Sequence, residues 1–174
     1  TVARNTKAGF DLRRKGLQMS SKNMVLYASE EAHSSIQKAV ELLGLGSEAL
    51  RFLPVNNQFQ IDIAKLETAI IRDRESGFSP FCVVGAAGTT NTGSVDDLKA
   101  LAIICRREKL WFHVDGAFGA WARLSPKAEK TVAGMELADS LALDLHKWMY
   151  MPYEIGCVLI RDEKQHRKTF SLTP

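Results

Sequence analysis

Short apolar runs of strand length alternate along this chain with segments whose apolar residues recur at helical spacing, and few folds accommodate that order. Residues 23–28 (NMVLYA) form one such run. In the segment HSSIQKAVELLG that follows, Ile36, Val40 and Leu43 share a helix face, and Gly44 and Gly46 end it. Residues 50–55 read as a second strand. Asp62 can cap a helix with Leu66, Ala69 and Ile70 on its apolar face, ending near Gly77. Residues 81–84 (FCVV) give a third strand, running into a glycine-rich loop at 85–93. Asp96 or Asp97 starts a helix with Leu98, Leu101, Ala102 and Cys105 on one face, and residues 110–114 form a strand ending at Asp115. Residues 140–143 and 157–160 supply two more strands. Parallel neighbours need a crossover of helix length, and that is what separates most of these runs. The pattern predicts an α/β fold, a mostly parallel sheet flanked by helices.

The chain has 174 residues, 45% hydrophobic and 25% charged, which is enough for one core. No linker, repeat or biased tract divides it, so residues 1–174 are expected to form one domain. Three cysteines without CxxC spacing or histidine partners point to neither a disulfide scaffold nor a zinc site; buried structural thiols are expected at Cys82, Cys105 and Cys157. No apolar run reaches the roughly 18 residues of a membrane span. With 23 basic and 20 acidic residues the net charge of +3 is too small to imply a nucleic-acid partner. Arg4, Lys7, Arg13, Arg14, Lys15 and Lys22 cluster near the N-terminus against Asp11 alone, and read as a solvated helix face. That segment has no apolar signal-peptide region, so the expected compartment is cytoplasmic. The chain starts without a cap and stops at Thr173-Pro174 without a closing element, so it is expected to be cut from something longer.

In open parallel sheets, ligands bind beyond the carboxyl ends of the strands, where the loops gather. Three loops there carry unusual residues. After Val84 comes GAAGTTNTG, whose small residues let backbone approach a ligand closely. After Val114 come Asp115, Gly116 and Ala117, and after Leu143 come Asp144, Leu145, His146 and Lys147. Turns and caps explain such residues one at a time. Lys147 is the odd member, set between His146 and the apolar Trp148, Met149, Tyr150 and Met151, a context that suits a nucleophilic amine. The small-residue loop, the carboxylate and the lysine are expected to converge on one pocket.

His33-Ser34-Ser35, the Gly88-Thr89-Thr90 loop, the run His113-Val114-Asp115-Gly116-Ala117 and His146-Lys147-Trp148 resemble, in order and spacing, a known enzyme family. It is the pyridoxal-phosphate-dependent amino acid decarboxylases of the aromatic amino acid and glutamate decarboxylase group (group II). The resemblance covers nearly the whole chain and places it in the central part of a fold-type-I large domain. It implies that Lys147 holds pyridoxal 5'-phosphate as an internal aldimine and is displaced by the substrate amine. It implies that Asp115 pairs with the pyridinium nitrogen, so that the ring can accept the electrons released as CO2 leaves. His33 would stack on the ring, Ala117 would pack against its other face, Thr90 would lie beside the ring substituents, and His146 near the phosphate. His33 also fits a helix-start histidine. His113 lies on the same strand face as Asp115 and is open to a structural or a supporting role. The implied activity is decarboxylation of an L-amino acid, aromatic first and acidic next, by a homodimer without nucleic-acid or membrane partners.

The family's Gly-Gly-Ser/Thr phosphate cradle is expected upstream of Thr1. A loop with a catalytic tyrosine and a small C-terminal domain are expected beyond Pro174, so residues 1–174 alone are expected to be inactive. Asp144-Leu145 stands where the animal aromatic enzymes have Asn-Pro, and Phe118 replaces a frequent tyrosine, which points to a different branch. An aldolase, aminotransferase or desulfurase of the same fold would share the Asp and Lys, and a non-catalytic fragment would keep the fold. The resemblance at His33-Ser34-Ser35 and His146-Lys147-Trp148 favours decarboxylation.

Overall fold

The computed structural model describes residues 1–20 and 22–172. Its strands are β1 (Met24–Ser29), β2 (Leu50–Leu53), β3 (Ser79–Ala86), β4 (Trp111–Asp115), β5 (Ser140–Asp144) and β6 (Gly156–Ile160). They form one sheet in the order β2-β1-β3-β4-β5-β6, parallel throughout except for the β5–β6 pair. The helices are α1 (Val2–Lys7), α2 (Leu12–Lys15), α3 (Ser35–Leu42), α4 (Ile63–Glu75), α5 (Leu98–Glu108) and α6 (Glu163–Phe170). This is the flanked, mostly parallel sheet that the alternating pattern predicts.

Alternate strand residues serve two cores. Val25, Tyr27, Val83, Phe112 and Val114 pack with Leu66 and Ile70 of α4 and Leu98, Leu101 and Cys105 of α5. On the other face Met24, Leu26, Ala28, Cys82, Val84 and Trp111 pack with Val2 of α1 and Val40 of α3. Full burial of a Leu or Val contributes about 2 kcal/mol, so the fully buried Leu66 and Leu101 hold α4 and α5 to the sheet. Because β1 is covered on both faces, every residue of it is buried, and it reads as a continuous apolar run.

Capping follows the sequence with one choice resolved. Asp62 Oδ1 accepts from the Lys65 N–H at 3.1 Å, and Asp97 Oδ1 from the Ala100 N–H at 3.0 Å. Asp96 is no cap. It is buried and accepts from the N–H groups of Ile61 and Ala86, both at 2.7 Å, tying the end of β3 to the entry of α4. Burial pushes its carboxyl group up, and those two donors oppose the shift. Strand β3 also takes Gly85 and Ala86, expected in the loop, because they pair with Val114 and Asp115. Strand β2 stops at Leu53: Pro54 has no N–H to donate, and Val55 makes only an isolated bridge with Ile61.

The N-terminal cations are more than a solvated face. Arg4 Nη1 donates to Leu43 O and Lys7 Nζ to Lys109 O, both at 2.9 Å, placing positive charge at the carboxyl ends of α3 and α5. Beneath α4, the Tyr27 hydroxyl donates to Asp73 Oδ2 at 2.8 Å, and Arg51 pairs with the same carboxylate at 3.2 Å while lying 4.7 Å from the Phe78 ring centre. Burial, then the bond to Asp73, pushes the Tyr27 phenol far up. Cys82 and Cys105 are buried as expected, and burial pushes the Cys82 thiol up to about 12. Cys157 differs: it is only half-buried, because β6 has no neighbour on its outer side among the described residues. Among those residues no cluster of three or more metal-ligating side chains occurs, and no helix is long and apolar enough to cross a membrane.

Candidate active site

Strands β1, β3, β4 and β5 run the same way, so the segments after Ser29, Ala86, Asp115 and Asp144 emerge at one end of the sheet. Contacts between them draw these segments together. Asn91 Nδ2 donates to Glu31 Oε2 at 3.2 Å, joining the glycine-rich loop to the segment after β1. The Gly119 N–H donates to Ala87 O at 2.9 Å, joining the turn after β4 to that loop. A Cβ at residue 119 would fall 2.3 Å from Ala87 O, so the approach requires glycine. Trp121 Nε1 donates to Asp144 O at 2.9 Å, and the Phe118 and Trp148 rings meet edge to face at 5.1 Å, joining the turn after β4 to the end of β5. The three loops singled out in the sequence are thus brought to one place.

Asp115 ends β4 between Ala86 and Ala142 in register, on the sheet face of Trp111 and α3. Its Oδ1 accepts from the Ala117 N–H at 3.2 Å, and Oδ2 makes no hydrogen bond among the described residues. Ala117 is half-buried beside it. His33 is exposed; its Nδ1 accepts from the Ser35 N–H at 3.2 Å and meets Ser35 Oγ at 2.9 Å, so it does serve the start of α3, while Nε2 makes no hydrogen bond among the described residues. Thr90 is exposed at the tip of the glycine-rich loop, whereas Thr89 is buried and bonds Thr92 at 2.7 Å, bracing the loop. His146 Nδ1 is 3.0 Å from the Ile155 N–H, which leaves Nε2 directed toward Asp144 Oδ2 at 3.8 Å. Lys147 Nζ lies 3.0 Å from that same Oδ2, its side chain 41% exposed.

His113 is hydrogen-bonded within the sheet. Trp111 Nε1 donates to Ser140 Oγ at 2.8 Å, and Ser140 Oγ lies 2.8 Å from His113 Nδ1. All three groups are satisfied when the hydroxyl donates to Nδ1, leaving the ring proton on Nε2. Burial lowers the affinity of this imidazole for a proton, and Asp115 opposes that. Asp144, three positions before the lysine, meets it across the turn that follows β5. The Asn91–Glu31 contact has no local sequence signal.

Residues 2–174 match the model of the pyridoxal-dependent decarboxylase conserved domain. The chain belongs to the pyridoxal-dependent decarboxylase family. It is 40% identical to an aromatic-L-amino-acid decarboxylase of Bacillus atrophaeus over 174 residues, which is all of this chain and 34% of the relative. It is 38% identical to an acidic amino acid decarboxylase of Xenopus tropicalis over 152 residues, 87% of this chain and 30% of that one. The crystal structure of mouse CSAD superposes with a TM-score of 0.92 at 33% identity, over 96% of this chain and 35% of that one. The chain therefore spans about a third of the length of these relatives. The residues present suit the family's cofactor. One end of the sheet offers an amine for an aldehyde, a carboxylate oxygen unbonded among the described residues for a ring nitrogen, and a small residue, Ala117, against which a flat ring fits.

Proposed function

We propose that this chain is the cofactor-holding core of an enzyme that decarboxylates an L-amino acid to an amine and CO2. The observation that carries the reading is the grouping of Lys147, Asp115 and His33 on segments joined at one sheet end, with Asp115 Oδ2 making no hydrogen bond among the described residues. When bound, pyridoxal phosphate supplies a ring that accepts the electron pair of the breaking Cα–carboxylate bond. Lys147 Nζ would anchor it covalently. Asp115 Oδ2 would hold a proton on the ring nitrogen through a charge-assisted hydrogen bond. His33 would cover the ring and offer Nε2 toward the substrate carboxylate, while Ala117 would support the ring from the other side. Thr90 and His146 would help to hold the ring substituents and the phosphate. Aromatic L-amino acids are the favoured substrates and acidic ones next, in keeping with what the two relatives are named for. We place the enzyme in the cytoplasm as a homodimer; the three unpaired cysteines fit a reducing compartment, and the exposed apolar stretch from Trp148 to Tyr153 fits a subunit contact.

Borohydride reduction of the cofactor-loaded protein, followed by peptide mapping, tests the anchor. The label is expected on Lys147; a label on Lys99 or Lys127 overturns the reading. Asp115→Asn is expected to slow CO2 release from the best substrate in an L-amino acid panel by several orders of magnitude, since a charge pair in a site closed to water is worth several kcal/mol. A loss below about tenfold removes Asp115 from the role, and a keto acid product in place of CO2 makes the enzyme an aminotransferase.

A further inference from the structure

Lys147 has a charged partner among the described residues, and that partner is held in the sheet. Asp144 ends β5, its backbone carbonyl held by Trp121 Nε1 at 2.9 Å. Across the antiparallel pair it faces Gly156, where even a Cβ would make only an ordinary contact, 3.4 Å, with Asp144 Oδ1. Oδ2 then reaches Lys147 Nζ at 3.0 Å, with His146 Nε2 at 3.8 Å, the latter adding attraction only if that imidazole is charged.

We infer that Asp144 is a positioning residue for Lys147: whenever the lysine amine is not covalently engaged, this carboxylate holds it as an ion pair at the end of β5. The inference rests on the reading of Lys147 as the covalent anchor. An amine that must leave and return in each cycle needs a place to wait, and a flexible four-carbon stem finds one by itself only at an entropic cost. An ion-paired ammonium has no lone pair to give, so the same contact also restrains the amine from attacking an aldehyde. The restraint is modest, because an exposed i,i+3 pair is a weak one.

The test uses the cofactor-free protein. Lysines are acetylated at trace level with acetic anhydride, and the rate at Lys147 is compared by peptide mass spectrometry with that at the exposed Lys65 and Lys127. Asp144→Asn, which keeps the shape and removes the charge, is expected to speed labelling of Lys147 about two- to fivefold, the range of an exposed ion pair, and to leave Lys65 and Lys127 unchanged. Asp144→Glu should restore the slower rate. Attachment of pyridoxal lacking its phosphate, followed by absorbance, should quicken by the same factor in Asp144→Asn. An unchanged rate at Lys147, or a rise shared by all three lysines, overturns the inference. Borohydride mapping of each protein separates the two failures. A trap on another lysine removes the anchor role and this inference with it, whereas a trap on Lys147 with unchanged labelling overturns the inference alone.

Discussion

His113 shows how one imidazole two residues from a proposed cofactor partner can serve the fold. Alternation along β4 places it on the face of Asp115, which the sequence makes plain. Its partner Ser140 comes from β5, and no local pattern announces a contact that depends on which strands pair. The same holds for Asp96, whose two backbone donors come from other segments, whereas Asp144 meets Lys147 locally. Because burial depresses the His113 imidazole, the unfolded chain binds its proton more readily than the native one does. Stability from this group is therefore complete above the ordinary value of 6.5 and is lost as pH falls below it. The thermal midpoint of the protein is expected to drop between about pH 7 and pH 5, and His113→Gln should flatten part of that drop while costing about 1 kcal/mol at neutral pH through its bond to Ser140. An unchanged pH slope would show that another group carries the dependence.

At the scale of elements, periodicity served well where burial is uniform. Strands β1, β3, β4 and β5 and helices α4 and α5 lie where the apolar pattern puts them, because each faces a core on a regular period. It served less well between β4 and β5, where short 3-10 turns at Ala120–Leu124, Glu129–Val132 and Met135–Leu137 have no repeat to read. The turn after β4 is where an element-level contact shapes the site. Gly119 sits against Ala87 so closely that any side chain must push the glycine-rich loop away from the Asp115 segment. Gly119→Ala is expected to cost about 1–3 kcal/mol by overpacking and to weaken cofactor binding in proportion, because Thr90 rides on the displaced loop. Calorimetry and a cofactor titration read the two effects. A variant with wild-type cofactor affinity would mean that the contact braces the fold without setting the loop.

For the molecule as a whole, the uncovered surface decides how these 174 residues behave by themselves. Among the described residues strand β6 is an edge, and Val158 and Leu159, on opposite faces of it, are 56% and 53% exposed. The stretch following Lys147 adds Trp148, Met149, Tyr150 and Met151, all exposed, and Tyr150 is 93% so. Between α1, α3 and the sheet an apolar cleft of about 280 Å³ is lined by Leu26, Val84, Trp111, Val158 and Ile160 among others. An unpaired apolar edge is a template for another strand, and contiguous apolar patches of this kind bind one another. Residues 1–174 expressed alone are therefore expected to self-associate, with light scattering that climbs with concentration. Val158→Lys combined with Leu159→Glu should suppress it, since charge on both faces of an edge strand opposes pairing. The same isolated chain is expected to bind pyridoxal phosphate weakly and to release no CO2, because its site residues His33, Thr90 and Lys147 stand open to water where charge interactions are screened. A monodisperse monomer would refute the surface argument. Decarboxylation by such a monomer would show that Lys147, Asp115 and His33 need no further cover to do the chemistry.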